Sequence, residues 1–185
     1  VYLGGPQFGA RYSAENFTIE EMKTWVDYCH LYGVDVHVTV NTLVKEKEIE
    51  SLKEYLKQLN KIGVDALIVQ DMGAVEIIKK TVPDMTLHAS TQMTVTSLEG
   101  VKYLENMGFS RVVLARELSE KEIEHICKNA KAEIEVFVHG AICMCYSGQC
   151  LMSSILGGRS GNRGRCAQPC RLPYDLLENG KTVKS

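Results

Sequence analysis

The strongest constraint on the fold is a regular alternation between two kinds of segment. Short apolar runs, typical of buried strands, occur at residues 1–3, 34–40, 66–69, 86–89, 112–115 and 134–138. Between them apolar residues recur at helical spacing, as at Met22, Val26 and Cys29. Such strand–helix repeats imply right-handed crossovers and a parallel sheet. We therefore predict an α/β fold of TIM-barrel-like (β/α) repeats, incomplete in this chain.

An open, doubly wound sheet fits the same alternation, and the repeats alone do not exclude it. The first apolar run ends at Gly4 and Gly5 without a Gly-x-Gly-x-x-Gly motif, which weakens a dinucleotide-binding version of that fold. Helix boundaries are signalled in both cases by capping boxes and by glycines placed after helices. The boxes pair Thr18 with Glu21 and Ser119 with Glu122, and the glycines are Gly33, Gly63 and Gly108.

Polar residues follow most of the apolar runs. These are Asn41 and Thr42, Gln70 and Asp71, Ser90 to Gln92, Arg116 and Glu117, and His139. Barrel enzymes build their sites at the carboxyl ends of the strands, so these residues are candidates for lining a pocket. Loops are also polar simply because they meet water, and that alternative stays open for each residue.

Five of the seven cysteines lie close together near the end of the chain, as Cys143, Cys145, Cys150, Cys166 and Cys170. An odd, uneven set of cysteines argues against a secreted disulfide scaffold and favours a metal site in a cytoplasmic protein. Four thiolates could hold a 4Fe–4S cluster or a structural zinc ion, and the spacing does not separate the two. Reduced cysteines without a metal are the third possibility. No run is long and apolar enough for a membrane span.

Arginines are interleaved with these cysteines. Residues 140–175 contain Arg159, Arg163, Arg165 and Arg171 against a single acid, Asp175, whereas the whole chain has a net charge of −2. This polarity predicts an anionic partner, either RNA or a small anionic substrate. A solvated loop, or compensation of thiolate charge, would explain the same arginines.

The patterns divide the chain into three parts. Residues 1–140 form the predicted barrel-like domain, from which the first strand is expected to be missing. Residues 141–172 form the cysteine- and arginine-rich segment, and residues 173–185 begin a hairpin region signalled by Asn179 and Gly180. We expect the chain to be a fragment of a longer protein, of unknown oligomeric state.

Residues 135–154 resemble a known signature. The run Glu-Val-Phe-Val-His-Gly-Ala-Ile-Cys143, followed by Tyr-Ser-Gly-Gln-Cys150, is similar to the motif of the collagenase-like peptidases, family U32. Residues 157–174 are most similar to the branch linked to cytidine hydroxylation in ribosomal RNA. The resemblance implies a 4Fe–4S cluster held by Cys143, Cys150, Cys166 and Cys170, the last being the least secure. Cys145 has no place in that pattern.

The resemblance implies two activities: proteolysis, from the family's older name, and oxygen-independent hydroxylation of RNA. A chain without Gly-x-Ser-x-Gly or His-Glu-x-x-His lacks the usual means of peptide hydrolysis, so we favour hydroxylation of a ribosomal or transfer RNA base. An RNA-binding protein with structural zinc is a further alternative. The expected catalytic groups are His88, Gln92, Arg116, Glu117 and His139, and the four interleaved arginines are expected to bind substrate.

Overall fold

The computed structural model describes residues 1–11, 14–140 and 143–184. Strands and helices alternate through the first two thirds of the chain: β1 (Tyr2–Gly4), α1 (Ile19–Leu31), β2 (His37–Val40), α2 (Ile49–Lys61), β3 (Ala66–Val69), α3 (Met72–Thr81), β4 (Thr86–Ala89), α4 (Leu98–Asn106), β5 (Phe109–Val113), α5 (Glu120–Asn129) and β6 (Glu133–Glu135). After them come α6 (Met152–Gly157) and two 3₁₀ turns, Gly161–Arg163 and Pro169–Arg171. The pair β7 (Leu176–Glu178) and β8 (Lys181–Lys184) follows.

The first six strands form one parallel sheet whose spatial order is the order along the chain. A doubly wound sheet reverses its order at a switch point, and this sheet does not. Right-handed crossovers in this order put every helix on one face of the sheet, as in a barrel, which leaves the other face concave. On that concave face Arg111 Nη1 of β5 is 3.5 Å from His37 Nδ1 of β2. The predicted α/β fold with barrel-like repeats is confirmed at this level.

The core lies between the outer face of the sheet and the helices. Alternate strand residues such as Val38, Leu67 and Leu87 are buried there, as are Met22 of α1 and Leu56 of α2. The other residues of each strand face the concave side, because side chains alternate along a strand. That concave face is polar in places, and these polar side chains form part of the site described below.

The predicted helix ends are confirmed. Thr18 donates its N–H to Glu21 Oε2 at 2.8 Å, and Ser119 does the same to Glu122 Oε2 at 2.7 Å. Gly33, Gly63 and Gly108 have φ values of +66°, +83° and +84°, the left-handed conformation that ends a helix.

Cys29 packs against the core, whereas Cys127 is exposed and does not pack there.

Four of the six strands differ from the predicted bounds. Strand β1 is shifted by one residue, to Tyr2–Gly4, and β2 is confined to His37–Val40 within the run at 34–40. For the last two strands, the run at 112–115 overlaps a strand that spans Phe109–Val113, and the run at 134–138 gives only Glu133–Glu135. In both cases charged residues of the concave face belong to the strand, and an apolar run does not include them. Val136, Phe137 and Val138 are exposed and outside the ladder.

The end of the chain contains an antiparallel pair, β7 and β8, joined at Asn179 and Gly180. Both residues have positive φ, +49° and +77°, as a type I′ turn requires. None of the helices in the described part of the chain combines the length and apolar character needed to cross a bilayer.

Candidate active site

The polar residues that follow the strands tie neighbouring loops together. Asn41 accepts the N–H of Ala10 at 2.9 Å and donates to Ser90 Oγ at 3.3 Å. The Asp71 carboxylate caps α3 and also accepts the N–H of Val44 at 2.9 Å. The loops at the carboxyl ends of the strands are therefore hydrogen-bonded to one another rather than independent and solvated. We call this edge of the sheet the rim.

The segment containing Cys145 and Cys150 is docked on this rim. Glu117, which follows β5, accepts both the N–H and the hydroxyl of buried Ser147, at 2.9 and 3.1 Å. Thr94 donates to the Ser147 carbonyl at 2.5 Å. Gly148 has a φ of +74°, and a Cβ added there would lie 2.1 Å from the Gln92 carbonyl oxygen. The backbone passes so close to the rim that only glycine fits.

The arginine-rich part of the segment is fastened on the opposite side of the rim. Arg163 donates to both carboxylate oxygens of Glu48, at 2.6 and 3.0 Å, and to the Leu43 carbonyl at 2.5 Å. Gly164 lies against the backbone of Ala10, where an added Cβ would be 2.6 Å from the carbonyl carbon. The guanidinium is occupied by protein groups. Its geometry is that of an anchor, which differs from the expected role in binding an anionic substrate.

Ser153 joins the two halves of the cysteine set. Its buried hydroxyl accepts the N–H of Ala167 at 2.9 Å, next to Cys166. Its carbonyl accepts the N–H of Arg159 at 3.1 Å, and α6 packs against the Pro169–Arg171 turn. The region after Cys150 is thus tied to the region that contains Cys166 and Cys170.

All seven cysteines are free thiols. Burial raises the pKa of the Cys145 thiol, and the neighbouring Cys150 and Cys143 thiols raise it further. Cys166 Sγ accepts the N–H of Gln168 at 3.3 Å. Among the residues that the structure describes, no three His, Cys, Asp or Glu side chains are positioned as a ready metal site. The donor chemistry suits a thiolate-bound metal or cluster, but the sulfur atoms are not preassembled.

The remaining candidate residues lie in different environments. Arg159, Arg165 and Arg171 are exposed, and Arg159 donates to the Arg165 carbonyl at 3.2 Å. Arg116 is exposed beside Glu117 on the rim, and His139 is exposed shortly before the cysteines. Gln92 and Glu117 both contact residues 147–148, so the structure brings these two together.

His88 lies on the concave face of the sheet, apart from the rim contacts. Its ring is buried edge-on against His37, with centroids 4.5 Å apart, and His37 lies beside Arg111. Burial, with the nearby His37 and Arg111 charges, lowers the pKa of His88 to about 4. No hydrogen-bond partner reaches His88 Nδ1 within the described ranges. At neutral pH His88 is therefore an uncharged imidazole with an unused ring nitrogen.

Several residues of the site were not predicted from the sequence. His37 lies on the concave face with Arg111, whose guanidinium pairs with Glu133 at 2.5 Å and Glu135 at 3.4 Å. The period-two alternation within each strand could have placed these side chains on one face. The contacts of Thr94, Ser147 and Ser153 carry no comparable sequence signal.

The model of peptidase family U32 matches residues 1–185. The chain is 45% identical, over its whole length, to a 23S rRNA 5-hydroxycytidine synthase from Escherichia coli, and covers 28% of that protein. It is 39% identical to tRNA hydroxylation protein P1 from Bacillus subtilis, covering 96% of this chain and 42% of the relative. A collagenase from Porphyromonas gingivalis is 33% identical, with 96% of this chain and 45% of the relative covered.

The chain therefore spans less than half the length of these curated relatives. A solved structure of a U32 peptidase superimposes with a TM-score of 0.62 at 22% identity, covering 77% of this chain and 61% of that one. This likeness concerns the fold.

Proposed function

The chain belongs to peptidase family U32, and from that premise we propose that it is part of an enzyme that hydroxylates a base of ribosomal or transfer RNA. The observation that carries the proposal is the docking of the cysteine segment on the strand-end rim, through Glu117, Thr94 and Gly148. The docked residues 147–149 lie between Cys145 and Cys150 in the sequence, and they support a location of the thiols near the edge where enzymes of this architecture bind substrate. The two relatives of highest identity reported above are named for RNA hydroxylation.

We further propose that Cys143, Cys150, Cys166 and Cys170 hold a 4Fe–4S cluster, with zinc as the alternative. The support is the donor set: free thiols, no disulfide among the described cysteines, and a Ser153 tether between the two halves. A bound cluster would supply electron transfer for a hydroxylation that does not use molecular oxygen. The role of this chain's own residues is to hold the thiols at the rim and to present the exposed Arg159, Arg165 and Arg171 to an anionic substrate.

Peptide hydrolysis is the competing function, suggested by the collagenase relative. A serine or cysteine nucleophile needs an adjacent base. Ser147 is buried and donates to Glu117, and across the described ranges no histidine is hydrogen-bonded to a serine or cysteine. The geometry therefore favours RNA hydroxylation over proteolysis. Cytoplasmic location, expected for an enzyme acting on these RNAs, stays a prediction.

The test is to express the full-length protein in a bacterium that lacks its own U32 enzymes and to measure hydroxylated nucleosides in ribosomal and transfer RNA by mass spectrometry. We expect a hydroxylated base with the wild type and with Cys127→Ser, which alters an exposed helix position. Cys150→Ser should abolish the modification. Unmodified RNA together with cleavage of a peptide substrate would overturn the proposal.

Metal analysis of protein purified without oxygen tests the cofactor separately. We expect brown protein containing iron, and loss of both colour and iron in Cys150→Ser. Colourless protein loaded with zinc would contradict the cluster assignment while leaving the RNA assay to decide the activity.

A further inference from the structure

A cavity of about 600 Å³ lies beside the docked cysteine segment. It is bounded by the loop and first turn that follow β3, by the loop that follows β4, and by helix α4. Its volume is within the range of about 300–1,000 Å³ that small-molecule sites occupy. The cavity lies on the helix side of the rim, apart from His88 and the concave face.

One wall of the cavity is also the surface on which the cysteine segment sits. Gln92 and Thr94 line the cavity, and they contact Gly148 and Ser147. Thr94 also accepts a hydrogen bond from the Gln149 side chain at 3.0 Å. A ligand in the cavity would be separated from the cysteine segment by this single wall.

Thr94 has a backbone conformation that its side chain disfavours. Its φ of +58° and ψ of +44° lie in the left-handed region, which is rare for a β-branched residue. Such conformations cost about 1–3 kcal/mol and persist where surrounding contacts enforce them, most often at functional sites. Here the enforcing contacts are the hydrogen bonds to residues 147 and 149. The strained residue therefore lies in the wall that separates the cavity from the cysteine segment.

An unused hydrogen-bond acceptor also lies at the cavity. Gln70 lines it and is only 8% exposed, and no partner reaches its Oε1 within the described part of the chain. Buried polar atoms are nearly always paired, and leaving one unpaired costs about 1–3 kcal/mol. The oxygen itself has less than 1 Å² of accessible surface, so a ligand with an N–H or O–H donor would pair with it after the Gln70 side chain turns toward the cavity.

The remaining lining defines the class of ligand. None of the lining residues is lysine or arginine, and the only charged one, Asp71, already accepts backbone N–H groups with both oxygens. The site therefore does not favour phosphate. Met72, Met93 and Leu104 provide apolar walls, and Tyr103, 62% exposed, stands at the edge where a flat ring can stack.

We infer that this cavity binds an uncharged, nucleobase-sized ring, with a donor on Gln70 Oε1 and one face against Tyr103. The inference rests on the proposed function in taking that ring to be a base of the RNA, held one wall away from the cysteine segment. The exposed arginines of the segment would then contact the RNA backbone outside the cavity.

Binding of free cytidine and uridine to the purified full-length protein, measured by calorimetry, tests the inference. We expect at least one nucleoside to bind and Gln70→Leu to weaken its binding about threefold to tenfold, the effect of one neutral hydrogen bond. Tyr103→Ala should weaken it about fivefold or more by loss of stacking. The control is Tyr32→Ala, a tyrosine of similar exposure (69%) directly after α1 and outside the cavity lining, which should bind as the wild type does.

Absence of nucleoside binding, or unchanged binding in both Gln70→Leu and Tyr103→Ala, overturns the inference. Tyr103 is largely exposed, so its variant should stay folded even if Gln70→Leu does not; a thermal melt of each variant checks this. If the wild type hydroxylates RNA but binds no nucleoside, the cavity assignment fails and the proposed function stands. If nucleosides bind with the expected losses and RNA is unmodified, the proposed function fails and the cavity assignment stands.

Discussion

Removal of the Arg163 side chain should release the arginine-rich half of the segment from the barrel rim. The guanidinium contacts both oxygens of Glu48 and the Leu43 carbonyl, and the side chains of Arg163 and Glu48 are 28% and 24% exposed. Hydrogen bonds to charged groups contribute about 1.5–3 kcal/mol, whereas fully exposed ion pairs contribute about 0–1 kcal/mol. For this mostly buried, bidentate pair we expect Arg163→Met to cost about 2 kcal/mol.

A double-mutant cycle isolates the ion pair from the other contacts of Arg163. Arg163→Met, Glu48→Gln and the double variant should show a coupling of about 1 kcal/mol in the free energy of unfolding by urea. A loss of about 2 kcal/mol should lower the melting temperature by about 4–8 °C in a protein of this size. Arg159→Met, at an exposed position, is the control. Additive effects would refute the anchoring role and return Arg163 to the substrate-binding set.

The same ion pair predicts a dependence on pH. The hydrogen bonds from Arg163 hold the pKa of Glu48 below its ordinary value of 4.5. A carboxylate with a lowered pKa in the folded state stabilises the protein above its ordinary pKa, and this stabilisation is lost as the pH falls through the folded value. The difference in unfolding free energy between wild type and Arg163→Met should therefore be full near pH 7 and shrink below pH 4.5.

Three more predictions concern other contacts. Gly148→Ala should lower the melting temperature and expose the cysteine segment to proteases, because the added carbon would lie 2.1 Å from the Gln92 carbonyl oxygen. Gly157→Ala, where no atom lies within 4 Å of the added carbon, is the control and should change neither. Ser153→Ala should cost about 1–3 kcal/mol and speed hydrogen exchange at Ala167, whose N–H it leaves unpaired. Since burial lowers the pKa of His88 from 6.5 to about 4, wild-type stability should fall between those pH values more steeply than that of His88→Leu.

The strand–helix repeats could be predicted because each buried parallel strand consists of a short run of apolar residues. The third and fourth runs, at 66–69 and 86–89, coincide with β3 and β4 residue for residue. Strand β5 begins earlier than the predicted run because Arg111 interrupts its apolar character while still belonging to the ladder, and Ser110 lies at an irregularity between the paired residues Phe109 and Arg111. A continuous apolar run identifies a strand that is buried on both faces. Strand β5 carries a charged residue on its concave face, so the apolar run covers only part of it.

The site was predictable in composition but not in its contacts. The residues following the strands and the cluster of cysteines were visible in the sequence. The pairing of Arg163 with Glu48 joins residues 115 positions apart, and the docking of Ser147 on Glu117 joins residues 30 apart. Neither has a local pattern, since the partners meet only after the barrel repeats have assembled. Substrate binding by the basic loop stays a prediction, and the contacts of Arg163 favour an anchoring role for that residue.

The long sequence separation of these anchors has a consequence for maturation of the protein. Thr94 and Ser147 are 53 positions apart, so the cysteine segment can dock only after the loops at the strand ends have formed. We therefore expect the barrel to fold first and the thiols to be delivered to their places afterwards. Damage to the rim would then appear in cells as a protein that is folded and abundant but poorly loaded with the proposed cluster.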